Sequence, residues 1–155
     1  MEIADILEPQ SVFPKVKVAS KRALLEFLAQ KAGSLVKLKS ELILETVMER
    51  ERLNTTGVGQ GVAIPHGRIK GLDRMFGLFA QLDEPVDYES IDGLPVDLVF
   101  LLLVPEAAGA DHLKALARAS RLFRNPTVCE KLRASNDGAP LFAILTEPAA
   151  NAQAA

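Results

Sequence analysis

Apolar and polar positions alternate in a way that divides the chain into successive elements. Val12, Val16 and Val18 recur weakly around Pro14. Proline lacks the N–H that a central ladder needs, so a strand here must be short or lie at a sheet edge. From Lys21 the residues Leu24, Leu25, Phe27, Leu28 and Ala32 recur at helical spacing, with Ser20 placed to cap the helix and Gly33 to end it. A second helix is predicted from a Ser40 cap through Leu53, with Glu41 at the positive end of its dipole and Ile43, Val47 and Met48 inward. Met75 to Leu82 and Val96 to Val104 read as strands, and the second is so nearly unbroken that both its faces should be covered. Asp111 can cap a helix ending near Arg124, with Leu113, Leu116, Leu122 and Phe123 inward and Lys114, Arg118 and Arg121 outward. Asn125 and Pro126 stop it, Thr127 and Glu130 form a capping box for the next helix, and a last short helix is expected over Pro140 to Leu145.

Helices interleaved with strands, rather than segregated from them, imply an α/β domain: a mixed sheet with helices on both faces. The 155 residues suit one such domain, over positions 1–146, followed by an Ala-rich, frayed tail at 147–155. A hydrophobic content of 48% with 25% charged residues excludes a disordered chain. Eighteen basic against twenty acidic residues leave a net charge of −2, so no global positive field exists to hold nucleic acid or anionic lipid. The single Cys129 forms no intrachain disulfide and reads as core, and without a basic, apolar leader at Met1 the expected location is the cytoplasm. The longest apolar run, Leu98 to Val104, falls far short of the roughly 20 residues of a membrane helix.

The densest chemical signal is Thr55 to Arg68, TTGVGQGVAIPHGR, where Gly57, Gly59 and Gly61 lead through a short apolar strand into Pro65-His66-Gly67. Pro65 stiffens the approach, and Gly67 removes a side chain beside the imidazole and permits positive φ, so the ring is expected in the open, near its ordinary pKa. A neutral imidazole with a free lone pair is a nucleophile, a base or a metal ligand. Metal ligation is the weakest of these, because a zinc site needs three or four ligands and the chain has two His and one Cys. The nucleophile elbow GxSxG is absent, and neither GxGxxG nor a Walker loop is present. Loop N–H groups can still cradle an anion, and a nucleophilic His beside such a cradle suggests phosphoryl transfer.

GVGQGVAIPHGR, the later IDGLPVDL (Ile91 to Leu98), LLLVP (Leu101 to Pro105) and Asp111-His112-Leu113 fall in one order and spacing. Together they resemble the phosphotransferase-system enzyme IIA family of the fructose/mannitol type, and most closely its nitrogen-regulatory branch. The resemblance implies the mannitol-type enzyme IIA fold. It implies that His66 accepts a phosphoryl group from a small HPr-like phosphocarrier protein (NPr in the nitrogen branch), that His112 hydrogen-bonds that group, and that Arg50 neutralises it, with Arg52 the substitute if the register shifts by two. A loop of Thr56, Gly57, Gly59 and Gly61 would bind phosphate, and no cofactor or metal is implied. The phosphorylation state would then regulate protein targets. A sugar-specific IIA feeding a IIB protein, and an anion-binding module in which His66 is never phosphorylated, stand as alternatives.

Overall fold

The computed structural model of the chain describes residues 1–147; the tail expected to fray lies, from position 148 on, outside the described residues. The sheet is organised around the unbroken apolar segment, strand β6 (Val96–Pro105). On one side it pairs antiparallel with β5 (Phe76–Val86), which pairs parallel with β1 (Val12–Val16). β1 is an edge strand, as Pro14 requires. On the other side β6 pairs parallel first with β3 (Val62–Ala63) and then with β4 (His66–Ile69), in one continuous register from Val62 opposite Leu98 to Ile69 opposite Pro105. β2 (Gly57–Gly59) folds back antiparallel on β3.

Successive residues of β6 point to opposite faces, and each face has its own core. Leu98, Phe100, Leu102 and Val104 pack with α3 (Asp111–Phe123), α4 (Pro126–Ala134) and α5 (Gly138–Thr146). Val99, Leu101 and Leu103 pack with α1 (Lys21–Val36) and α2 (Ser40–Leu53). The predicted mixed sheet with helices on both faces is therefore the observed architecture. Phe100 is fully buried and its ring lies 5.8 Å from that of Phe123. Phe100→Ala should lower the unfolding free energy by about 3–5 kcal/mol, read as a shift of the denaturant midpoint.

Several helix ends differ from expectation, each for a packing or capping reason. Helix α1 runs past Gly33 to Val36, and Lys37, with φ of 60°, supplies the left-handed cap. Gly33 is instead a crossing point: a Cβ there would stand 2.8 Å from the Leu38 carbonyl oxygen and 3.2 Å from Ser40 Cα. Lys39, Ala110 and Asn125 occupy the N-cap positions of α2, α3 and α4, so Ser40 and Asp111 each sit one residue inside the helix they were expected to cap. Asn125 Oδ1 accepts the N–H groups of Thr127 and Val128, displacing the expected Thr127 capping box. Helix α5 begins two residues before Pro140 and ends one after Leu145. Leu113 is 69% exposed rather than inward, because Ala115, Ala119 and Leu122 define the buried stripe and residue 113 lies nearly opposite them on the helix. Cys129 is core, its thiol donating to the Phe123 carbonyl. No helix among the described residues is long and apolar enough to cross a membrane.

Candidate functional site

His66 opens β4 and pairs with Leu102 across the parallel ladder, so it shares the face on which α3 packs. Gly67 then falls on the α2 side, where a Cβ would meet Thr46 Cγ2 at 3.0 Å. That close approach is what calls for glycine; the positive φ that glycine permits is not used at this position. The imidazole is also not held in the open: His66 is 9% exposed. Its pKa is pushed below the ordinary histidine value chiefly by burial and further by the Arg50 guanidinium, against the opposing effects of its bond to the Ile64 backbone and of Glu51.

Elementary bonding assigns the tautomer. Nδ1 lies 3.0 Å from the Ile64 carbonyl oxygen, which can only accept, so Nδ1 carries the proton. Nε2 therefore bears the lone pair, and Arg50 Nε donates to it at 3.2 Å. Arg50 is held from the other side as Nη1 donates to the Asn54 carbonyl at 2.8 Å. Arg52, the register alternative, is solvent-exposed.

His112, in the first turn of α3, approaches from the far element: the two imidazole centroids are 5.5 Å apart and the rings inclined at 62°. Its Nε2 is buried without a hydrogen-bond partner. Its pKa is lowered by burial first, then by His66, Arg68 and Arg50. Arg68, two residues along β4 from His66, donates to the carbonyls of Glu106 and Gly109 at 3.3 and 3.4 Å and so straps down the loop that leads into α3.

The glycine segment is a hairpin rather than an open cradle. Gly59 and Gly61 have φ of 102° and 79°, which the tight turn through Gln60 requires. Three of the amides in and next to this segment are committed within the fold. Thr56 N–H donates to the Glu51 carboxylate, Gly57 N–H to Thr55 Oγ1, and Gln60 N–H to Asp92 Oδ2. Beneath the turn, Arg133 donates to the Gln60 carbonyl at 2.8 Å while ion-paired with Asp97. Of the expected phosphate loop, Thr56 and Gly57 thus spend their N–H groups within the fold, while Gly59 and Gly61 pack against Asp92 and against Arg133 and Asp97. Glu51, Lys21 and Tyr88, which join Thr56 in a buried polar cluster beside Arg50, were not singled out from the sequence. The available signal was that Glu51 continues the inward stripe of Ile43 and Val47 at helical spacing, although it stands in a charged run that reads as a solvated face. Among the described residues no group of three or more His, Cys, Asp or Glu is placed to hold a metal ion.

Both histidine pKa values are lowered in the folded chain, so the unfolded chain binds more protons in the acidic range. The stability gained by keeping the rings neutral is fully present above pH 6.5, the ordinary value, and is lost as pH falls through the lowered folded-state values. The melting temperature of the wild type should therefore fall more steeply on acidification than that of a His66→Gln, His112→Gln double variant, as measured by thermal denaturation between pH 8 and pH 4.

A mixed sheet with helices on both faces is the fold shared with solved enzyme IIA domains. The structure of the mannitol IIA of Escherichia coli superposes with a TM-score of 0.75 over 89% of this chain and 97% of that one, at 20% identity, a likeness of fold. The family described as "Phosphoenolpyruvate-dependent sugar phosphotransferase system, EIIA 2" matches residues 5–147, and the chain belongs to it. It is 52% identical over 152 residues to a nitrogen regulatory protein of Bradyrhizobium diazoefficiens, covering 98% of this chain and 99% of that protein. The crystal structure of the nitrogen regulatory protein IIA-Ntr from Neisseria meningitidis superposes with a TM-score of 0.88 at 37% identity, covering 93% and 99% of the two chains. The sequence resemblance to the type-2 enzyme IIA family, nitrogen-regulatory branch, is thus shown.

Proposed function

We propose that this chain is a phosphohistidine carrier acting in the cytoplasm, in which His66 Nε2 accepts a phosphoryl group from an HPr-like phosphocarrier protein. The phosphorylated and free forms then engage regulatory protein targets differently. One observation carries the reading: the lone pair of a neutral, buried imidazole is fixed at Nε2 by the Ile64 carbonyl, with a guanidinium and an unpartnered imidazole nitrogen beside it.

The step asks little covalent chemistry of the protein. The Nε2 lone pair forms the bond to phosphorus while the bond from phosphorus to the donor atom breaks and its electron pair leaves with the carrier. Arg50 Nε must release Nε2 as the group arrives and transfer its donors to the phosphoryl oxygens, for which a planar fork is suited. The other oxygens fall to His112, whose buried Nε2 gains a partner by donating once that ring nitrogen carries the proton. The lowered pKa of His66 keeps it unprotonated, and so nucleophilic, at neutral pH. Once formed, a group of charge near −2 changes the surface a partner meets. The 52% identity to a nitrogen regulatory protein supports regulation over the sugar-specific alternative, in which a IIB protein would drain the group.

The test is intact-mass spectrometry at mildly alkaline pH after mixing the chain with phosphoenolpyruvate, the first enzyme of the phosphotransferase system and its small carrier. One acid-labile phosphoryl group is expected, and nitrogen NMR of the product should place it on Nε2 of a histidine. No uptake with components shown to be active would overturn the reading in favour of an anion-binding module.

A further inference from the structure

Glu51 places a carboxylate inside the protein directly after Arg50 in sequence, with its side chain only 5% exposed. A buried carboxylate is costly unless it is paired and hydrogen-bonded, and this one is supplied from separate elements. Lys21 Nζ, at the start of α1, lies 3.0 Å away. The Thr56 N–H lies 3.1 and 3.2 Å from its two oxygens, and the Thr56 hydroxyl donates to Oε2. Tyr88, fully buried, sets its hydroxyl 3.0 Å from Thr56 Oγ1, and Lys21 Nζ sits 4.4 Å from the centre of its ring. Four segments, α1, α2, the entry to the β2–β3 hairpin and the β5–β6 connection, therefore meet on one carboxylate.

What this junction controls follows from the chain between Glu51 and Thr56. Helix α2 ends at Leu53, and Asn54 is already extended, with φ −168° and ψ 141°. The direction of its carbonyl is set by whatever fixes the two ends of this short span, and Glu51 joins those ends by binding Thr56 across five residues. That same Asn54 carbonyl receives Arg50 Nη1 at 2.8 Å and so aims Arg50 Nε at His66 Nε2. We propose that Glu51 is a positioning residue: by clamping Thr56 to the last turn of α2 it holds the Asn54 carbonyl, and through it the Arg50 guanidinium, in register with His66. The inference rests on the reading of His66 as the phosphoryl acceptor, and it deepens that reading by giving the arginine its support.

Glu51→Gln keeps size and one acceptor while removing the charge, and it is read in two independent ways. In the unphosphorylated chain, the Arg50 Nε–H, bonded to His66 Nε2, should give a protected proton–nitrogen NMR signal in the wild type that broadens into solvent exchange in Glu51→Gln. In single-turnover assays with the phosphorylated carrier, uptake should slow by about tenfold to a hundredfold, the range expected of a misplaced catalytic group, with carrier affinity retained. Because Glu51 acts through Arg50, Glu51→Gln should add little to the loss caused by Arg50→Ala in the double variant. If the two losses multiply, or if the Nε–H signal is unchanged in Glu51→Gln, the proposal is overturned. Tyr88→Phe, which removes only the outer hydroxyl of the cluster, serves should Glu51→Gln fail to fold: a weaker change in the same two readouts supports the clamp, and none in either refutes it. The NMR arm needs no phosphorylation, so a wild type that takes up no phosphoryl group while its Nε–H signal responds would sink the carrier function and leave the positioning role standing.

Discussion

A His66→Ala chain should take up no phosphoryl group under conditions that label the wild type to one group per chain. His66 Nε2 is the lone pair that the site holds in place: Nδ1 is protonated against Ile64, Arg50 has only donors and directs one at Nε2, and the His112 ring stands 5.5 Å away on a different element. Loss of the acceptor atom is therefore not a graded effect. The substitution should leave the fold intact, because His66 meets the sheet through backbone pairing with β6, and the Leu102 N–H donates its ladder bond to the Pro65 carbonyl. Circular dichroism with intact-mass analysis separates the two outcomes: a folded but unlabelled variant is expected. A folded variant that still gains an acid-labile group would transfer the acceptor role to His112.

Arg50→Ala should slow uptake by about 10²- to 10³-fold, the cost of removing one preorganised donor from a site of developing negative charge. Arg50→Lys should recover only part of this, since an ammonium cannot bond the Asn54 carbonyl and the phosphoryl oxygens with one rigid fork. The same variants carry an independent signature. The guanidinium contributes to holding the His66 pKa down, so Arg50→Ala should raise it, measured by the pH dependence of the His66 ring signals in NMR. A slower enzyme with an unchanged His66 pKa would mean that Arg50 acts at the docking surface rather than on the imidazole.

The sequence was most informative where one-dimensional periodicity reports burial. The inward faces of α1 and α2, the fully covered β6 and the edge position of β1 all follow from side-chain spacing or from the missing N–H of a proline. Helix caps were less legible, because a residue one position away competes for the same free amides, as Asn125 does with Thr127. The glycines illustrate a different limit. Gly33 and Gly67 are required by helices crossing close to them, and nothing in a local window distinguishes that from a turn.

For the site, the chain by itself determined which residue types are available and in what order: a histidine between proline and glycine, a second histidine opening a helix, and an arginine ending one. It also determined the family, through motifs whose spacing persists over most of the chain. Only the tertiary structure decided that the His66 ring is buried, that its lone pair lies at Nε2, that Arg50 rather than Arg52 reaches it, and that the hairpin amides are committed to Glu51, Thr55 and Asp92. The reason is physical. A tautomer, a lowered pKa and a clamped guanidinium are properties of contacts between elements distant in sequence, and those contacts exist only after both faces of the sheet have been packed.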